Sequence, residues 1–176
     1  MQILSLPLSG LTQGAQPIIS YNFGANNPER VRKGFRLLLL SSVIYAACIW
    51  AVAELLPGVF VTIFTNDLQL AEFARWAMRI YMAAVVLMGA QIACQQTFIA
   101  FGNSKISAFL AMFRKIIVLI PLIYILPVFL EDNVQAVFLA EPIADVIAVA
   151  TTLILFRKNF KKVLAEMKQK SETQDI

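Results

Sequence analysis

Histidine is absent from this 176-residue chain, and charged residues make up only 15% of it, against roughly 25% in ordinary soluble domains. Without imidazole there is no His-based acid–base catalysis and no His-ligated metal site. The two cysteines, Cys48 and Cys94, each lie inside an apolar run, at a spacing that suits neither a metal nor a disulfide framework. They read as small apolar fillers. No nucleophile–base pair or metal cluster is left to support an enzyme, and no cofactor is implied.

What is abundant is hydrocarbon. Hydrophobic residues make up 59% of the chain, and the mean hydropathy is +0.72. The net charge of +4 and pI near 9.2 do not point to nucleic acid, because the apolar runs are too long for a nucleic-acid-binding domain. The fold class expected is all-α, a polytopic membrane helical bundle.

A spanning helix needs about 20 mostly apolar residues. Four segments approach this: Leu37 to Phe60, Ile80 to Phe101, Ala108 to Leu130 and Val134 to Phe156. A fifth, Met1 to about Phe23, is long enough but too polar to face lipid alone. Its Gln13, Gln16 and Pro17-freed backbone groups need neighbouring helices. Val61 to Arg79 reads as a short interfacial connection, with Thr65-Asn66-Asp67 as a helix N-cap. Residues 1–160 then form the transmembrane part and residues 161–176 a cytoplasmic basic tail.

Loop charges orient the bundle. Of the 15 basic residues, only Arg75 and Arg79 fall on one side. Arg30, Arg32, Lys33, Arg36, Lys105, Arg114, Lys115 and the Arg157 to Lys170 group fall on the other. The positive-inside rule makes that second side cytoplasmic, including the C-terminus, in a multi-pass cell-membrane protein. Five crossings that begin at the membrane edge with a polar helix are expected to be the C-terminal piece of a larger transporter.

The polar residues inside the spans carry the functional reading. Glu141 and Asp145 are four apart, so they share a helix face about 6 Å apart along the axis. A charged carboxylate at mid-bilayer costs about 2.5–3.5 kcal/mol or more. Two on one face repel, so the pair is expected to share a proton or a cation or to attract a cationic substrate, or else to be satisfied by Arg, Lys or amide partners. Gln91 and Gln95 align at the same spacing and either line a cavity or bond across helices. Gln16 and Asn22 are further cavity-lining candidates, and Gly24 with Ala25 is expected to make the turn into the basic loop. Arg114 and Lys115 sit a turn or two inside their span and are expected to snorkel to headgroups. Trp50, Trp76, Tyr81 and Tyr124 fit interfacial belts or packing. In the tail, Phe160, Val163, Leu164 and Met167 share a helical face expected to lie along the inner leaflet.

One motif is more specific. The run Gly14-Ala15-Gln16-Pro17-Ile18-Ile19-Ser20-Tyr21-Asn22-Phe23-Gly24-Ala25, with Arg30 following, resembles the second lobe of the multidrug and toxin extrusion (MATE) family. Gln91 to Lys105, Ile116 to Pro127 and Glu141 to Asp145 are similar in the same order. The resemblance implies two six-helix lobes around a central cavity, with this chain matching about the last five of twelve helices. It implies a proton or sodium gradient driving out amphipathic, often cationic drugs, with the N-terminal lobe and membrane lipid as partners. Some members carry an acid on the tenth helix where this sequence has Ala90, so a sodium site built on that acid is not expected. A lipid-linked oligosaccharide flippase of similar plan is an alternative, as is a non-transporting membrane remnant that pairs with another lobe. The flippase would call for more cavity Arg and Lys than the acidic mid-membrane charges here suggest.

Overall fold

The computed structural model describes residues 2–58, 61, 67–130 and 132–174. Thr65 and Asn66 of the expected cap lie outside these residues. Every regular element described is helical: α1 (Gln2–Gly24), α2 (Pro28–Leu55), α3 (Leu68–Met82), α4 (Val85–Ala100), α5 (Ser104–Phe129) and α6 (Asn133–Gln174). By length and hydropathy α2, α5 and α6 can each cross a bilayer. The pair α3 and α4, counted together as one bent span, has the length and hydropathy for a fourth.

That pair departs from the expected single span at Ile80 to Phe101. The helix breaks at Ala83–Ala84 and bends by 40°, and the expected connection before it is helix α3. Asp67 does cap α3, accepting from the amides of Gln69 and Leu70 at 2.9 and 3.3 Å. The helix α1 has 23 residues, enough for about 35 Å, but is not apolar enough to pass the same hydropathy test.

Two matching turns close the basic end. After α1, Asn26 takes a left-handed conformation (φ 52°), and the Asn27 amide donates to the Asn22 carbonyl at 3.0 Å. After α4, Gly102 does the same (φ 78°), and the Asn103 amide donates to the Phe98 carbonyl at 2.9 Å. Both are six-to-one closures that satisfy carbonyls left over at a helix end. The left-handed position thus falls on Asn26 rather than on Gly24 or Ala25; a short polar side chain tolerates it. Asn27 then caps α2, accepting from the Arg30 amide, ahead of Pro28 in the first turn.

The core is thickest near these turns. Phe23, Phe35, Phe98, Phe101, Phe156 and Phe160, from α1, α2, α4 and α6, form a chain of ring contacts with centroids 4.6–6.0 Å apart. The helix α6 approaches through small residues at every fourth position, Ala136, Ala140, Ala144, Ala148 and Thr152, all buried. The crossing of α2 and α4 is closer still. A Cβ on Gly89 would lie 2.6 Å from the Ser42 carbonyl oxygen, so only glycine fits there.

The tail differs from expectation. The helix α6 continues unbroken past residue 160, and Leu164 and Met167 are buried against Ile19, Val31, Leu38, Ala93, Ala100 and Phe101. The apolar face expected on the inner leaflet is packed on α1, α2 and α4 instead. Burying it on protein removes the same apolar area from water, and the helix needs no bend.

Candidate functional site

The carboxylates of Glu141 and Asp145 project from α6 one turn apart, and Arg114 of α5 answers both. The Nη2 of Arg114 donates to the Glu141 carboxylate at 3.1 Å, and its Nε donates to the Asp145 carboxylate. The Tyr81 side chain of α3 lies beside Glu141. Asp145 is 1% exposed, Arg114 16% and Glu141 20%. Helices α3, α5 and α6 therefore meet at one cluster of a cation, two carboxylates and a phenol. Formally it carries one negative charge when both carboxylates are ionised.

Local sequence places each member. Pro142 has no amide to give the Phe138 carbonyl, yet α6 runs on through it. Phe138 packs edge-on against Phe73 and Trp76 of α3, both at 5.9 Å, and this seam sets Tyr81 opposite Glu141. On α5, residues Phe113–Leu119 form a π-helical stretch, with the Ile120 amide reaching back to Lys115. Pro121 follows directly and lacks an amide of its own, which favours a widened turn before it. Arg114 sits in that turn, about 15 Å from the Ser104 end of α5. Asp145 is about 18 Å from the Asn133 end of α6. Allowing for the ends of the helices that project beyond it, both lie well inside a core about 30 Å thick.

This overturns the snorkelling expected of Arg114. Counting from Ala108 made it look shallow, whereas α5 starts at Ser104 and buries it too deep to reach headgroups. The carboxylates are met by an arginine, one of the two outcomes left open for them. Tyr81 was missed: nothing in the sequence links a belt-like tyrosine to an acid 60 residues away.

A cleft of about 440 Å³ lies between α4 and α5 against the same arginine. Gln91, Gln95, Met88, Met112, Arg114 and Lys115 are among the residues that line it. The structure thus brings Gln91 and Gln95 to the cluster's edge. Gln16 and Asn22 do not join them. Both lie on α1, which does not border the cleft, and the Asn22 amide donates to its own helix at Ile18, 2.7 Å away. Gln16 is half-buried on the same helix. Among the described residues no group of three or more His, Cys, Asp or Glu side chains is placed to hold a metal ion.

The MatE family model matches residues 1–125. The chain is 27% identical to the multidrug export protein MepA of Staphylococcus aureus (strain NCTC 8325 / PS 47) over 159 residues, covering 89% of this chain and 34% of that protein. It is also 27% identical to MepA of Staphylococcus haemolyticus (strain JCSC1435) over 128 residues, 72% of this chain and 27% of that protein. It spans about a third of these relatives' length. Its fold matches the inward-facing conformation of a multidrug resistance MATE family transporter of the MOP superfamily, with TM-score 0.85 and 15% identity over 92% of this chain and 38% of that one. A solved chain titled "protein A" matches with TM-score 0.84 and 32% identity, over 93% of this chain and 36% of that one. The family match, extending over most of the chain, assigns it: the protein belongs to the MatE family of multidrug and toxin extrusion transporters.

Proposed function

We propose that this chain supplies one lobe of a cell-membrane exporter that expels amphipathic, often cationic drugs in exchange for protons or sodium. The observation that supports this most is the cluster of Arg114, Glu141 and Asp145. One cation against two carboxylates leaves a site for one further positive charge: a proton, a sodium ion or a cationic drug. Ala90 leaves α4 without an acid, so coupling in this lobe falls to the α6 pair. Gln91 and Gln95 beside the cluster provide hydrogen bonds for a bound molecule, while Asn22 serves the α1 backbone. The basic loops and the C-terminus face the cytoplasm, in line with the positive-inside rule.

Alternating access moves one lobe against another, so the second lobe is the partner this reading requires, and the chain alone does not transport. The test is expression in a drug-sensitive bacterial host, alone and joined to the seven preceding helices that the family resemblance implies. Resistance to ethidium is expected only from the joined form. A joined form that inserts in the membrane yet confers no resistance would leave a non-transporting membrane protein as the reading.

A further inference from the structure

A second cation lies at the depth of Arg114 and makes no direct ion pair among the described residues. This is Lys115, which is exposed and lines the cleft between α4 and α5. Snorkelling does not relieve it. The 26 residues of α5 span about 39 Å, so roughly 5 Å projects at each end of a 30 Å core. Lys115 is then about 12 Å inside the boundary, and its four-carbon stem covers about half that distance. An ammonium without a direct ion pair at that depth is costly facing hydrocarbon, so it marks a surface that meets water or a ligand.

The rest of the cleft wall has matching chemistry. Gln91 is 4% exposed, lines the cleft, and its amide makes no hydrogen bond within the described residues. Gln95 stands one turn further along α4. Met88, Ile92, Met112 and Ile116 provide an apolar, adaptable surface. Arg114 contributes to the same wall, while its two carboxylate partners do not line the cleft. The cavity therefore presents two cationic side chains, two amides and no acid. Its volume, about 440 Å³, is that of a small-molecule site.

We propose that this cleft binds the anionic group of an amphipathic molecule, with Lys115 as counter-ion, Gln91 and Gln95 as hydrogen-bond donors and the methionines against the apolar part. The proposal goes beyond the exporter reading and does not depend on it, because binding is read on the chain itself. Two sources share the chemistry: a soluble amphipathic anion and the headgroup of an anionic lipid.

The test uses the 176-residue chain in nanodiscs of zwitterionic lipid, with an anilinonaphthalene sulfonate as the anionic probe, ethidium as the cationic one, and empty nanodiscs subtracted. Loss of one charge-assisted hydrogen bond predicts that Lys115→Gln weakens sulfonate binding by about tenfold or more. Lys115→Arg is expected to retain it, and ethidium binding is expected to be the same in all three proteins. Repetition in phosphatidylglycerol nanodiscs separates the sources. Displacement of the sulfonate there assigns the site to a lipid headgroup, and undiminished binding assigns it to a soluble anion. Equal sulfonate affinity in wild type and Lys115→Gln, or none above empty nanodiscs, would overturn the proposal. Either result would leave the exporter reading standing.

Discussion

Arg114 of α5 bonds Asp145 through Nε and Glu141 through Nη2, so one guanidinium holds two helical turns of α6. Both acids and the base lie well inside the membrane, where none of the three is tolerated singly. The arrangement ties α5, which has few other buried side chains beyond its first turns, to the rest of the bundle.

Removing the base should therefore cost more than removing an acid. Arg114→Gln strands the buried Asp145 and the half-buried Glu141, and breaking a buried pair in this way costs about 3–5 kcal/mol. Asp145→Asn leaves the Glu141 pair intact and is expected to cost less. Thermal unfolding of both variants in nanodiscs gives the order. A smaller loss for Arg114→Gln than for Asp145→Asn would mean that the arginine is not what holds the cluster.

The crossing of α2 and α4 makes a separate prediction. Gly89→Ala places a methyl group 2.6 Å from the Ser42 carbonyl oxygen, on backbone that cannot step aside. The helices must separate, and overpacking of this kind costs about 1–3 kcal/mol. Gly14→Ala, on α1, meets nothing within 4 Å and serves as the control. Equal stability of the two variants would contradict the close approach.

The packed tail is tested by truncating a side chain that a surface-lying helix would not miss. Met167 is 2% exposed within the cluster around Val31 and Phe101. Met167→Ala is expected to lower stability by about 2 kcal/mol or more. Exposed Lys161→Ala is expected to change it by less than about 0.5 kcal/mol. Indistinguishable unfolding of the two would place this face on lipid after all.

Much of the fold was legible because a bilayer imposes long apolar runs that composition alone reveals. The runs in α2, α5 and α6 were clear for that reason, as was the cap at Asp67, where a short acid precedes a helix. What stayed hidden depended on contacts between distant segments. The break at Ala83–Ala84 carries no glycine or proline to announce it. The face of Phe160, Leu164 and Met167 was visible as apolar, but periodicity does not say whether lipid or protein covers it. At the site, Glu141 and Asp145 stood out because carboxylates are rare in such surroundings. Arg114 was misjudged by four residues of helix start, and Tyr81 gave no signal at all. Gln91 and Gln95 reached the cleft while Gln16 and Asn22 did not, a division set by which helices border α5.

The central claim is that the α6 carboxylates couple export to an ion gradient. Its most direct test is gradient-driven ethidium efflux from vesicles holding the chain joined to the seven helices that the family resemblance implies, with Glu141→Gln and Asp145→Asn compared at equal abundance. The account expects each substitution to reduce efflux at least about tenfold, the scale of one lost charge interaction in a partly dry site. Efflux at the wild-type rate in both variants would contradict it.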